Sequence, residues 1–492
     1  MKTLNLLGFD FGASSGRAML GTLENGKLEI REVHRFSNDP VTLCGRFVWD
    51  LPRMMYEMKQ ALLKVSHMDV KVDAIGIDTW GVDYGLLDKN GRLLGLPVHY
   101  RDERTSGMRE KVREVIPDAE LFGRTGLAYN SFNTLYQLYA MRQEGDPTLD
   151  AAQDLLFMPD LLAWLLTGQK GTEYTIASTS QLLNPYTRDW DRELLEKLGI
   201  PTHMLGEVKL PGTVRGTLLP EIARECGVDE IPVIAVGGHD TASAVAAVPA
   251  RDEDFAYISS GTWSLLGVEI PKPMCEESVM NANYTNQGGV NGSIRLLKNI
   301  MGLWIIQECK REWDRRSDAV GFAELVEMAV KAPAFKAMID VDDECFMAPG
   351  DMPNRIQEYC RRTGQAVPQG RGEISRVVYE SLALKYRWAI EKLEGMLGKP
   401  VKTLNIVGGG TKNVLLNRFT AEAIKRPVIT GPSEGTAIGN LLMQAKALGA
   451  IEDIWALRRV VEASFPTEEY LPETDGKAWD EAYARYMELF DN

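Results

Sequence analysis

The chain has 492 residues, of which 45% are hydrophobic and 25% charged, a balance far from disordered, collagen-like or membrane compositions. With 55 Lys and Arg against 69 Asp and Glu, the formal net charge is −14. No clustered basic run stands out, which argues against a nucleic-acid partner held by phosphate neutralisation. At roughly 150 residues per domain, the length corresponds to about three domain-sized units or two large ones. Apolar stretches such as Leu161–Leu166 are far shorter than the ~20 residues that cross a bilayer, so no membrane association is expected. The N-terminal apolar residues stop at Asp10, with neither a long apolar region nor a small-residue cleavage site behind them, and no secretory leader is expected. Six cysteines without a C-x-x-C pair fit reduced thiols in the cytoplasm better than a disulfide scaffold or a zinc site.

In chain order, Leu4–Phe9 is a short apolar run, Gly12–Gly16 a Gly- and Ser-bearing turn, and Arg17–Thr22 strand-compatible again, which predicts a β-hairpin. Asp73–Asp78 reads as a buried strand, Asp154–Leu166 as a helix, and Pro232–Val236 as a strand entering Gly237-Gly238-His239-Asp240, with a small-residue helix over Thr241–Val248. The hairpin device then recurs: Phe255–Ser259, a turn at Ser260-Gly261-Thr262, and Trp263–Ile270. Two such hairpins suggest two similar halves, and the boundary is expected just before the second. Farther on, Leu404–Val407 is a strand, Gly408-Gly409-Gly410 a turn, and Asn413–Ile424, Thr436–Leu448 and Trp479–Phe490 are helices. The order is mixed α/β.

Several stretches combine residue types that carry chemistry. Main-chain N–H groups in a Gly/Ser turn form a concavity that suits phosphate oxygens, so Ala13, Ser14, Ser15, Gly16 and Arg17 are candidate phosphate ligands. Asp10, leaving the strand before that turn, suits Mg²⁺ through water. A tight hairpin with a capping Asp accounts for the same residues without a ligand. The turn at Gly408–Gly410 lies between a strand and a helix, where adenosine or phosphate fits; simple strand-to-helix packing is the alternative. Asp240, at a strand end after two glycines, suits the role of proton acceptor in transfer of a phosphoryl group to a hydroxyl, and equally that of a helix N-cap. Asp78-Thr79-Trp80-Gly81-Val82-Asp83 and His99-Tyr100-Arg101-Asp102-Glu103-Arg104 mix polar groups with aromatic faces, as a sugar requires, although the second also reads as a solvated loop with an Arg–Asp pair.

Phe9–Arg17, Ser259-Ser260-Gly261-Thr262-Trp263-Ser264-Leu265 and Val407–Gly410 together resemble the two phosphate loops and the adenosine segment of the FGGY family of carbohydrate kinases, within the actin, Hsp70 and hexokinase ATPase superfamily. The resemblance covers nearly the whole chain. It implies two RNase H-like α/β domains flanking a central nucleotide and sugar cleft, over residues 1–243 (sugar, first phosphate loop, catalytic Asp) and 244–492 (ATP). Gly76–Asp83, Tyr100-Arg101-Asp102, Gly238–Thr241 and Leu297–Trp304 narrow it to members acting on L-rhamnulose. The resemblance then implies transfer of the γ-phosphoryl group of ATP to the 1-hydroxyl of that ketose, with the sugar and ATP as small-molecule partners and Mg²⁺ the metal expected at Asp10. Asp240 is in that case the catalytic base, and Gly81, His239, Asp240, Thr241 and Asn299 meet the sugar. Ala13–Arg17, Thr262, Gln307 and Gly409 meet ATP. Arg101 stands where xylulokinases and glycerol kinases tend to carry Trp, which weakens those two readings. An L-fuculokinase or L-xylulokinase activity, or a non-catalytic ATP switch, are the alternatives.

Overall fold

The computed structural model describes residues 3–316 and 319–490. In chain order the elements that position the site are β1 (Leu4–Phe11), β2 (Ser15–Glu24), β3 (Lys27–Ser37), α1 (Leu51–Ser66), β4 (Ala74–Thr79), α2 (Met158–Thr167), β5 (Thr213–Thr217), β6 (Pro232–Ala235), α3 (Asp240–Ala246), β7 (Phe255–Ser260), β8 (Trp263–Ile270), α4 (Trp304–Arg315), α5 (Gly370–Leu397), β9 (Thr403–Val407), α6 (Val414–Ile424), β10 (Val428–Thr430), α7 (Gly435–Ala447), α8 (Ile454–Ser464) and β11 (Glu468–Tyr470). They belong to two compact units, each assembled from separate stretches of chain. The first comprises Met1–Ala247, Glu269–Leu296 and Gly435–Ser464, and the second Val248–Val268, Leu297–Glu434 and Phe465–Asn492.

In the first unit a six-stranded sheet runs in the order β5-β6-β4-β1-β2-β3. The strands β1, β2 and β3 are antiparallel, while β4 lies parallel to β1 and β6 parallel to β4. Side chains alternate across such a sheet, and Leu7, Phe9, Phe11, Ile75 and Ile77 join the buried cluster that α1 and α2 complete. Helix α1 buries Leu51, Met54, Met58, Ala61, Leu62 and Val65, one stripe at helical spacing, and Asp50 caps it by accepting from Arg53 N at 3.0 Å. Full burial of a Leu or Met of this kind stabilises by about 1.5–3 kcal/mol. The opposite face of the sheet carries Gly8, Gly76, Asp10 and Asp78 and receives α7.

The second unit repeats the plan. The hairpin β7/β8 is antiparallel, β9 lies parallel to β7, β10 parallel to β9, and β11 antiparallel to β10. Both hairpins, the strand into Gly237 and the helices near residues 414–424 and 435–447 therefore occur where the sequence predicts them. The helix expected over 154–166 does not form throughout. Asp154–Phe157 is a strand paired antiparallel with Tyr84–Leu87, and the helix starts only at Met158, with Pro159 in its first turn. A short apolar run reads the same in a helix and in a buried strand, and here a distant partner strand decides. No helix among the described residues is long and apolar enough to cross a membrane, and all six cysteines are free.

Candidate active site

In the first unit, Asp10 and Asp78 leave the ends of β1 and β4 as direct partners in the parallel ladder. Arg17, opposite Asp10 on β2, donates from Nε and Nη2 to Asp10 Oδ2 at 3.0 and 2.8 Å. Behind them, Asn440 Nδ2 of α7 donates to Asp78 Oδ2 at 2.6 Å, and Gln444 Nε2 donates to Asn440 Oδ1 at 2.8 Å and to the Leu7 carbonyl at 3.1 Å. Gly8 and Gly76 are what let this amide pair reach the sheet: a Cβ on Gly8 would lie 3.2 Å from Asn440 Oδ1, and one on Gly76 would overlap it. Asp78 is fully buried, and its Oδ1 has no hydrogen-bond partner among the described residues. Burial, reinforced by the Asp10 charge, holds its carboxyl well above the usual range.

The third carboxylate follows β6. Thr79 N donates to the Gly238 carbonyl at 2.9 Å, Gly238 N to Glu173 Oε2 at 3.1 Å, and His239 N to Thr175 Oγ1 at 3.2 Å, so this turn is pinned from both sides. Glycine is required at 238, because a Cβ there would come to 2.7 Å from Glu173 Oε2. His239 occupies the N-cap position and Asp240 is the first helical residue, which corrects the reading of Asp240 as the cap itself. Its Oδ1 accepts from Thr241 N at 2.6 Å, and its charge favours the helix N-terminus. Burial and the Asp10 charge push its carboxyl up to about 6, against the hydrogen bonds from Thr241. A carboxylate of that basicity, one-third exposed, is suited to take a proton near neutral pH.

Gly81 begins a rigid polar and aromatic loop. Val82 takes a left-handed φ of 70°, its N–H donates to Thr179 Oγ1 at 3.0 Å, and its carbonyl accepts from Thr134 Oγ1 at 2.7 Å. Asp83 Oδ2 accepts from Trp49 Nε1 at 2.7 Å, Trp80 Nε1 at 3.0 Å and Tyr100 N at 3.1 Å, and its Oδ1 accepts from Gln137 Nε2 at 3.1 Å. The rings of Trp80, Trp49, His99 and Tyr100 stack in succession, with centroids 3.9, 4.2 and 4.4 Å apart. Asp102 caps its own turn, accepting from Phe47 N at 2.8 Å and Arg104 N at 3.0 Å, while Arg104 Nη2 donates to Gln137 Oε1 at 2.6 Å. Gln137 therefore has no freedom to turn its amide. Asp83→Asn sets an N–H₂ against the Gln137 N–H₂, and is expected to cost about 1–2 kcal/mol of stability. Urea unfolding checks this, and an unchanged midpoint would show the network to be dispensable.

In the second unit the β7/β8 turn closes with Gly261 N donating to the Trp263 carbonyl at 2.8 Å. The Thr262 carbonyl accepts from Gly302 N and Trp304 N, both at 3.1 Å, and Thr262 Oγ1 lies 3.4 Å from Gln307 Oε1 of α4. The Gly408 φ of 89° turns the chain after β9, and a Cβ there would come to 2.8 Å from the Ser260 carbonyl. Next to it Gly409 is exposed, with nothing within 4 Å of a Cβ. The pair makes a bare main-chain surface beside the Thr262 turn. Asn299 lies on the strand Ile294–Met301, its Oδ1 buried and without a partner among the described residues.

The sequence profile of the FGGY family of carbohydrate kinases, N-terminal domain, matches residues 5–247, and that of the C-terminal domain matches 256–448. The chain belongs to the FGGY family of carbohydrate kinases. As an FGGY chain it is 46% identical to a protein named rhamnulokinase from Bacteroides thetaiotaomicron, over 98% of both chains, and 43% identical to another from Halalkalibacterium halodurans, over 94% of this chain and 98% of the relative. Solved structures share the fold. A xylulose kinase from Lactobacillus acidophilus superposes with a TM-score of 0.82 at 18% identity, covering 99% of this chain and 98% of that one. A Plasmodium falciparum glycerol kinase does so at 0.80 and 17%, covering 99% and 98%.

Of the FGGY residues expected from sequence, Asp10, Arg17, Gly81, His239, Asp240 and Thr241 fall in the first unit with Ala13–Gly16, and Asn299, Thr262, Gln307 and Gly409 in the second. Gly16 has a packing reason of its own, since a Cβ there would overlap the Phe36 ring. Sequence reasoning missed Asn440, Gln444 and Glu173. The first two left one signal, amides four residues apart on a helix that also carries Gly435 and Gly439.

Proposed function

We propose that this chain transfers the γ-phosphoryl group of ATP to the 1-hydroxyl of L-rhamnulose, giving L-rhamnulose 1-phosphate and ADP. The observation that carries the substrate is the likeness, over nearly the whole chain, to two proteins named rhamnulokinase. The chemistry rests on Asp240, a partly exposed carboxylate at the end of a parallel strand. Asp240 takes the proton as the hydroxyl oxygen bonds to phosphorus, and the bond from phosphorus to the β,γ-bridging oxygen breaks as ADP leaves. The Gly81 loop, His239, Thr241 and Asn299 orient the sugar, its C–H face suiting the aromatic stack around Trp80 and Tyr100. The turn Ala13–Arg17 and the Thr262, Gln307 and Gly409 surface receive the nucleotide. Residues 1–243 carry most of the sugar contacts, the first phosphate loop and Asp240, and residues 244–492 most of the ATP contacts, with Asn299 reaching the sugar.

Asp10 fits a magnesium ion held through water, because this ion keeps several waters and needs few carboxylates. The buried Asp78 Oδ1 beside it, lacking a partner among the described residues, marks a place where positive charge is welcome. When bound, the ion supplies neutralisation of phosphate charge. Free cysteines and an ATP-dependent reaction are in keeping with a cytoplasmic enzyme.

The test is a coupled ADP-release assay with Mg-ATP, scanning L-rhamnulose, L-fuculose, L-xylulose, D-xylulose and glycerol. A kcat/KM for L-rhamnulose well above the others is expected, with sugar raising ADP release far above the basal rate because a bound acceptor displaces water. Preference for another ketose would overturn the substrate, and hydrolysis indifferent to every sugar would overturn the kinase reading. Asp240 must be ionised to accept a proton, so activity is present above its pKa and lost below it. With that carboxyl at about 6, kcat/KM is expected to fall about tenfold per pH unit below pH 6. A profile flat down to pH 5 would remove Asp240 as the base.

A further inference from the structure

Arg295 lies on the strand Ile294–Met301 and is fully buried. Placing a guanidinium out of water costs several kcal/mol unless its donors are well used. Its Nε donates to the Gly288 carbonyl at 2.8 Å, and its Nη2 is 3.1 Å from His239 Nδ1. A guanidinium has donors only, so Nδ1 must be the accepting, unprotonated nitrogen of that imidazole. The ring proton then sits on Nε2, which lies 3.4 Å from Asp240 Oδ1, in electrostatic contact but not in hydrogen-bond geometry. His239 is held in this pose by its backbone bond to Thr175 and by burial. Three residues thus sit in succession within the first unit, Arg295 hydrogen-bonded to His239 and His239 in electrostatic contact with Asp240.

We propose that Arg295 is a positioning residue for phosphoryl transfer: it fixes His239 as the neutral Nε2–H tautomer, which lies beside the Asp240 carboxylate and sets the electrostatic surroundings in which that carboxylate accepts the sugar's proton. The part concerning transfer rests on the function proposed above. The arrangement also decides where positive charge goes. Burial and the Arg295 charge keep His239 well below the usual histidine range, so no imidazolium forms to compete with the substrate for Asp240. The other titratable groups around the pair are Asp10 and Asp78 on the neighbouring strands, Glu173 behind Gly238, Tyr100 in the sugar loop and Tyr174 beside Arg295. Asp10 raises the proton affinity of Asp240, whereas Arg295 lowers it. Losing Arg295 is therefore expected to move the acid limb of the rate profile to higher pH.

The tautomer is readable without any substrate, by long-range ¹H–¹⁵N correlation on the ¹⁵N-labelled full chain, with His239→Gln assigning the signal among five histidines. The expected result is neutral Nε2–H, unchanged from pH 5.5 to 8.5. In Arg295→Met the ring is expected to titrate or to populate Nδ1–H. In the same variant kcat for the ketose should fall about 10–100-fold, as for loss of a partner that orients a functional histidine, while KM moves less than threefold; Arg295→Lys should restore part of kcat. Finding Nδ1–H or a protonated ring in the wild-type protein overturns the proposal, and that reading does not depend on any variant folding. So does a folded Arg295→Met protein with kcat within twofold of wild type. The Nε2–H signal in a protein that phosphorylates no sugar would support the tautomer assignment and overturn the kinase reading instead.

Discussion

Asp240→Asn is expected to lower kcat by about 10²–10⁴-fold while KM for the ketose stays within threefold. The substitution keeps the shape of the side chain, and its carbonyl oxygen can still accept from Thr241 N, so the turn and helix α3 persist. What disappears is the group that takes the hydroxyl proton. An amide also removes a negative charge that sits near Asp10 and Asp78 and is costly to bury, so the variant should fold at least as stably as the parent. Single-turnover measurement of phosphoryl transfer, together with calorimetric titration of the ketose, separates the two effects. A near-normal kcat would reduce Asp240 to a helix-starting residue, and a collapse of sugar binding with the fold intact would make it a binding group.

Gly439→Ala is expected to destabilise the protein by about 3 kcal/mol and to lower kcat as well. Gly439 lies on α7 where that helix crosses α3, and a Cβ there would overlap the main-chain carbonyl of Ser243. A carbonyl inside a helix cannot swing aside as a side chain would, so α3 must move as a unit. Asp240 is the first residue of α3 and moves with it. The control is Gly395→Ala on the exposed side of α5, where nothing lies within 4 Å of the added atom; it is expected to stabilise by about 0.5–1 kcal/mol through helix propensity. Paired urea melts and kinetics check both, and a Gly439→Ala protein as stable as the parent would show that the two helices do not meet so closely.

Much of the plan is legible from local pattern. The two hairpins announce themselves through apolar runs around a Gly/Ser turn, and Asp240 through its place after a buried strand and two glycines. The small residues of α3 are also visible in sequence, but not their purpose, which is to let α7 approach. The strand at Asp154–Phe157 was hidden because its partner, Tyr84–Leu87, is far away in the chain. Asn440 was missed for the same reason: it acts on Asp78 across a long stretch of sequence, and nothing near it signals its partner.

Sequence alone determined the two hairpins, the strand into Gly237 with the helix behind it, the glycine-bearing turns, and the family to which the chain belongs. Periodicity, turn chemistry and motif order are properties of neighbouring residues, so they survive without a structure. Only the tertiary structure decided how the carboxylates and the histidine are tuned. Asp10, Asp78 and Asp240 share one chemistry on paper, yet Asp10 is paired with Arg17, Asp78 is buried against Asn440, and Asp240 is left one-third exposed with its carboxyl at about 6. Desolvation and Coulomb interactions depend on what the distant chain brings within a few ångströms. The same holds for His239, whose tautomer is set by a guanidinium that the fold, and not the local sequence, places against it.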